Sequence, residues 1–201
     1  MATISLCMIG KDEAHRVVED LLPHLDYVSE VVFVDDGSTD GTDVLMEAQP
    51  KTTVYRVVCI PTDASFSLNA AFAHAKGDYI LWKDCDEVLE IDALEALQRV
   101  TTGHYARYDG FIFSRKTYID GWLANLDNLD YPNFDGQLRF FKNYQGFRYA
   151  GRLHPCLVDP SGNPLYNQPE RVLHLNAYII HRKTAQEQDF DNRRYYDMGQ
   201  R

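Results

Sequence analysis

The chain has 201 residues, 45% hydrophobic and 25% charged, the balance of an ordinary folded domain with room for one sizeable core. Its formal net charge of −10 argues against general binding to nucleic acid or to anionic membrane. The four cysteines (Cys7, Cys59, Cys85, Cys156) form no CxxC pair and no zinc spacing. Cys7 and Cys59 lie in apolar runs and read as small core residues of a reducing compartment. No basic leader precedes a long apolar stretch, and no run of about 18 apolar residues occurs, so a cytoplasmic protein without a membrane span is expected.

The first half alternates strands and helices. Thr3 to Ile9 reads as an apolar strand, and Glu13 to Leu25 as a helix with Val17, Val18, Leu21, Leu22 and Leu25 on one face. Val31 to Val34 is a second buried strand, ending in the turn-rich loop "DDGSTDGT". A short helix over Asp43 to Ala48 and a strand over Val54 to Cys59 follow. Ser65 to Lys76 reads as a helix stopped by Gly77. Tyr79 to Trp82 is the fourth strand. Asp92-Ala93-Leu94-Glu95 has the spacing of a capping-box variant opening a helix to about Val100. Such alternation predicts an α/β fold with an open, mostly parallel sheet and helices on both faces.

The second half is less regular. Gly110 to Lys116, Leu138 to Phe141 and Val172 to Ile180 read as strands separated by polar and aromatic segments, and Thr184-Ala185-Gln186-Glu187 has capping-box spacing before a last helix. No repeat or linker divides the halves. One domain over 1–201 is expected, with a nucleotide-binding half over about 1–100 and a substrate-binding half over about 101–201.

Charged residues gather where strands end. The first strand runs into Lys11-Asp12-Glu13, the second into Asp35-Asp36, and the fourth into Asp84-Cys85-Asp86. In open α/β sheets ligands bind outside the carboxyl ends of the strands, so these carboxylates are expected around one crevice. In an extended segment Asp84 and Asp86 point the same way with Cys85 opposite. Two hard oxygen ligands on one face suit Mg²⁺ or Mn²⁺. The same short motif is equally well read as an acidic cluster ahead of the helix at Asp92, or as a solvated loop.

The segments "ISLCMIGKDE", "VVFVDDGSTDGT" and "FSLNAAFAHAKGDYILWKDCDEVL", in this order and spacing, resemble family 2 glycosyltransferases of the GT-A fold. The resemblance implies transfer of a sugar from a nucleotide sugar, most often a UDP-sugar, to an acceptor hydroxyl with inversion and with Mn²⁺ or Mg²⁺. It implies that Asp36, with Asp35, contacts the base, that Asp84 contacts the ribose or the metal, and that Asp86 holds the metal. Asp12, Glu13 and Asn69 fall on the nucleotide-sugar side. The tail "LHLNAYIIHRKTAQEQDFDNRRYYDM" resembles the family segment whose His follows a strand and completes the metal site. That residue is His181. Arg182 beside it is, from its charge, a candidate for a charge-assisted contact with a diphosphate oxygen.

Two departures bear on these implications. Leu68 stands where relatives commonly have Arg, and "GRLHP" ends in Pro155 where relatives often have Glu, a natural general base. His154 and Asp135, with Asp120 behind them, remain as candidates for taking the acceptor's proton; the reference pKa of histidine, about 6.5, suits that role. Tyr118, Trp122, Tyr131, Phe134 and Tyr149 offer either a sugar-stacking wall or core packing. The chain is short for the family, which leaves room for a separate acceptor domain. No GxGxxG follows the first strand, as a dinucleotide-binding dehydrogenase requires, and "DCDEVLE" has no Gly at the sixth position of an EF-hand. The rival function is a non-catalytic nucleotide-sugar-binding module of the same fold.

Overall fold

The structure is a computed structural model that describes residues 1–57, 64–124, 135–151 and 155–197. Four parallel strands form its front: β1 (Ile4–Gly10), β2 (Glu30–Asp35), β3 (Thr52–Arg56) and β4 (Tyr79–Asp84), ordered β3-β2-β1-β4. β1 and β2 are apolar almost throughout because both sides of the sheet are covered. β3 is the edge and alternates partly buried with exposed residues. It begins two residues earlier than the sequence pattern predicts and ends at Arg56; Cys59 lies outside the described residues.

The strands β5 (Glu87–Leu89), β6 (Gly110–Ile119), β7 (Trp122–Leu123), β8 (Gly136–Lys142) and β11 (Val172–Lys183) continue the same sheet in the order β4-β8-β6-β11-β5, with β7 hung on β6. β8 runs antiparallel to β4 and β6, while β11 is parallel to β6 and antiparallel to β5. The sheet is therefore parallel in front and mixed behind. β9 (Arg148–Ala150) and β10 (Cys156–Val158) pair as a separate antiparallel ribbon.

Helices cover both faces, as the alternation predicts. One core packs Leu6, Met8, Phe33, Leu81, Phe111 and Phe140 under α1 (Val17–Leu21), α2 (Thr42–Glu47) and α4 (Ile91–Thr101). The other packs Cys7, Val32, Ile80 and Phe141 under α3 (Ala64–His74). Successive strand residues supply opposite cores, the period-two rule of a strand. α5 (Ala185–Asp197) closes the described chain. No helix among the described residues is long and apolar enough to cross a membrane.

Two local expectations are corrected. The helix expected over Glu13 to Leu25 is shorter, because the Glu13 and Ala14 amides donate to Thr42 Oγ1 (2.8 Å) and Asp40 Oδ2 (2.9 Å) in the neighbouring loop. It then tightens into a 3-10 turn over Leu22–His24 that contains Pro23. Asp92 caps nothing: α4 starts at Ile91 after Glu90, whose amide donates to Tyr178 O (3.0 Å), and Asp92 Oδ1 is buried without a hydrogen-bond partner among the described residues. The second capping box does form. Thr184 N donates to Glu187 Oε2 (2.6 Å) and Glu187 N donates to Thr184 Oγ1 (3.2 Å).

Candidate active site

The loops after β1 and β2 are stitched together by their own acids. Asp12, held at φ 57°, accepts hydrogen bonds on Oδ1 from Thr39 N (2.7 Å) and Thr39 Oγ1 (3.2 Å). Asp35 is buried and accepts from Gly37 N (3.1 Å) and Ser38 N (3.1 Å), folding its own loop. Asp36 reaches the other way, where Ser67 Oγ of α3 donates to its Oδ1 at 2.8 Å. Glu13 sits between this loop and the end of β4. Burial pushes its pKa up to about 7, with Arg16 opposing and the negative charges of Asp86, Asp84 and Asp40 adding to the rise.

The end of β4 is not the extended segment that the Asp84–Asp86 spacing suggests. The chain turns at Cys85 and Asp86 and re-enters the sheet as β5. Lys83 makes the turn: its side chain is fully buried, and Nζ donates to Asp84 O (3.1 Å) and Glu87 O (2.7 Å). Burial lowers its pKa. Cys85 tucks under β1, Sγ donating to Ile9 O (3.2 Å); a Cβ on Gly10 would lie 2.6 Å from that sulfur, so glycine is what permits the approach.

The turn sends the two aspartates to different partners. Asp86 Oδ2 lies 3.0 Å from His181 Nε2 on β11, and Arg182 N donates to Asp86 O (2.9 Å). Burial alone would raise the Asp86 carboxyl; the His181 hydrogen bond and the positive charges of His181, Lys183 and Arg16 outweigh it and hold the pKa low. Asp84 keeps a side chain 40% exposed, and its Oδ2 accepts from Arg139 Nη2 at 3.0 Å. The same Nη2 donates to Glu87 Oε1 at 2.7 Å, while the guanidinium lies 3.5 Å over the Trp82 ring. A cleft of about 390 Å³ opens beside this group, with Trp82, Asp84, Gln137, Arg139, Tyr149 and Pro155 among its walls.

The remaining predicted residues scatter. Asn69 spends its amide on the main chain of β9, donating to Tyr149 O (2.9 Å) and accepting from Tyr149 N (2.8 Å). Arg182 pairs with Asp20. Asp135 accepts from Arg115 Nε (2.7 Å) and Gln137 Nε2 (2.6 Å). Asp120 accepts from Ala185 N at 3.1 Å. His154, Tyr131 and Phe134 lie outside the described residues. Tyr149 is buried against Trp82 and Phe72, whereas Trp122 is 81% exposed on β7.

Among the described residues no three His, Cys, Asp or Glu side chains form a metal-holding group on their own. The Asp86–His181 pair nonetheless suits a cation. Neighbouring corners of an octahedron with bonds of about 2.1 Å are about 3.0 Å apart. That matches the 3.0 Å between Asp86 Oδ2 and His181 Nε2; the carboxylate oxygen suits Mn²⁺ or Mg²⁺, and the imidazole adds a softer nitrogen beside it. Sequence reasoning gave no site role to Arg139 or to Glu87. The signal was there: Arg139 interrupts the apolar run "LRFF" and Glu87 opens "EVL", and a charge inside a buried strand is the informative exception.

Fold and site together define an α/β protein that gathers acidic groups at the carboxyl edge of its parallel strands. Residues 9–162 match the model of glycosyl transferase family 2, and the chain belongs to that family. TarS of S. aureus, residues 1–349 in complex with UDP, superposes with a TM-score of 0.63 at 16% identity, over 94% of this chain and 62% of that one. The mannosyltransferase PcManGT from Pyrobaculum calidifontis, in complex with GDP-Man and Mn²⁺, gives 0.59 at 17% identity, over 90% and 56%. These are GT-A glycosyltransferases, and the likeness at such identities is one of fold. A TPR repeat-containing protein of Synechococcus elongatus is 36% identical over 98 residues, 49% of this chain and 24% of that protein. The chain thus spans about a quarter of this curated relative and about three fifths of the TarS chain.

Proposed function

We propose that the protein transfers a sugar from a nucleoside diphosphate sugar, in the first place a UDP-sugar, to an acceptor hydroxyl, with Mn²⁺ or Mg²⁺ held by Asp86 and His181. The observation that carries the reading is the Asp86–His181 pair, 3.0 Å apart, at the carboxyl edge next to Asp84. When bound, the cation supplies positive charge beside the diphosphate as the sugar leaves. The protein's own groups do the rest. Asp36, braced by Ser67, faces the base together with the Asp12–Thr39 loop. Asp84 accepts a hydrogen bond from a donor hydroxyl. An acid–base group of the back half, Asp135 or His154, takes the acceptor's proton as its oxygen attacks the anomeric carbon from the side opposite the diphosphate, which inverts that centre. Asp135 must give up its bond from Gln137 to do so.

A second reading, a nucleotide-sugar-binding module, is favoured by one feature. Pro155 lines the cleft, and Asp84 is the single carboxylate among the described residues of its walls. Thermal-shift measurements with UDP- and GDP-sugars, with and without Mn²⁺, followed by assay of nucleotide release with the stabilising donor, separate the outcomes. Stabilisation that grows with Mn²⁺, with slow hydrolysis or transfer, is expected. Stabilisation without turnover assigns the module, and no stabilisation by any donor refutes both.

A further inference from the structure

Arg139 is a buried cation at the wall of a ligand cleft. Its side chain is 3% exposed, yet it lines the cleft beside Asp84. One nitrogen, Nη2, bonds both Asp84 Oδ2 (3.0 Å) and Glu87 Oε1 (2.7 Å). Glu87 is completely buried, and its other oxygen accepts from Asp84 N at 3.2 Å. The Asp84 main chain and side chain are therefore held from one carboxylate, directly and through Arg139. The guanidinium face is fixed by the Trp82 ring at 3.5 Å, and Trp82 is fixed in turn, its Nε1 donating to Tyr149 Oη at 2.6 Å.

Burying an Arg–Glu pair is expensive, and apolar residues of similar volume often serve stability as well or better. Stability thus gives no reason for a cation here. The geometry does give one. A partly exposed aspartate at a strand end has several rotamers, and a carboxylate that must meet a ligand at one angle gains from having one oxygen tied down. We propose that Arg139 is a positioning residue: held by Glu87 and Trp82, it clamps Oδ2 of Asp84 and leaves Oδ1 to a hydroxyl of the nucleoside diphosphate sugar. The inference rests on the proposed donor class. It also assigns Asp84 to the donor's hydroxyls and leaves the cation to Asp86 and His181, because a guanidinium already occupies one Asp84 oxygen and repels a second positive charge.

The test is a double-mutant cycle read in affinity. Binding of UDP and of GDP in the presence of Mn²⁺ is measured by calorimetry for wild type, Asp84→Asn, Arg139→Lys and the double variant. Arg139→Lys keeps the charge, but its ammonium ends about one bond short of the Nη2 position and has no planar face for Trp82. Each single variant is expected to bind about tenfold more weakly, the loss of one charge-assisted contact, and the double variant no worse than either. If Arg139→Lys does not fold, the pair Glu87→Gln/Arg139→Met removes both buried charges together and is expected to give the same loss. Unchanged affinity in Arg139→Lys with a lowered melting temperature, or losses that multiply to about a hundredfold in the double variant, would overturn the positioning role while leaving the donor class intact. Absence of nucleotide binding by wild type would overturn the donor class and the positioning role with it.

Discussion

Replacing Glu13 by Gln should make the protein more stable at alkaline pH, with a smaller gain in mild acid. The Glu13 carboxyl has an ordinary pKa of 4.5, raised to about 7 by burial and by Asp86, Asp84 and Asp40 against the pull of Arg16. The folded state therefore holds this proton more tightly than the unfolded chain. Its contribution is complete below the unfolded value and is lost as pH rises through the folded one. The interval from 4.5 to about 7 corresponds to at most about 3.4 kcal/mol, of which about 1.9 falls between pH 5.5 and 8. The group is partly exposed and Arg16 Nε lies 3.3 Å away, so solvent screening reduces the usable difference to about 1 kcal/mol. For a chain of this size that is about 2–4 °C in melting temperature. Melting curves of wild type and Glu13→Gln at pH 5.5 and pH 8, in the same metal-free buffer, should diverge by that amount toward alkaline pH. A constant offset between the two curves would refute the placement of Glu13 in the acidic cluster.

Two further variants probe the frame. A Cβ at residue 77 would lie 2.6 Å from Ser5 N and 2.8 Å from Ser5 Oγ, so Gly77→Ala should cost about 1–3 kcal/mol, visible as a lower urea midpoint with an unchanged slope. Wild-type stability would mean that Gly77 does not pack on β1. Thr184→Ala removes one half of the reciprocal cap on α5 and should cost about 1 kcal/mol locally, so amides of residues 186–190 should exchange about fivefold faster. Unaltered exchange there would place the start of α5 under other control.

The front half was legible because its signals are local. β1, β2 and β4 are apolar runs ended by acids, and the turn residues of "DDGSTDGT" mark the loop that Asp35 and Asp12 hold together. What could not be read depends on distant partners. β5 is three residues long and exists because Leu89, Val88 and Glu87 pair with Ile179, Ile180 and His181, 90 to 94 positions on. The turn at Cys85 and Asp86 follows from where Lys83 finds carbonyl acceptors, so an alternation argument that assumes an extended chain separates from the geometry at that point. In the sequence Arg139 is one charge within the strand Leu138 to Phe141; its meaning lies in β8 pairing with β4, which brings it to Asp84 and Glu87. Asn69, by contrast, looked like a ligand contact because it sits in a family segment, and its amide serves β9 instead.

Asp86 and His181 are proposed to hold a divalent cation for the donor. Calorimetric titration of Mn²⁺ into wild type and His181→Ala, with UDP present, at pH 7.5 and about pH 5.5, tests it directly. A histidine ligand must shed its proton, so wild-type affinity should fall between the two pH values, and the variant should bind about tenfold or more weakly at pH 7.5 with less dependence on pH. Equal Mn²⁺ affinities of the two proteins at both pH values would contradict the claim.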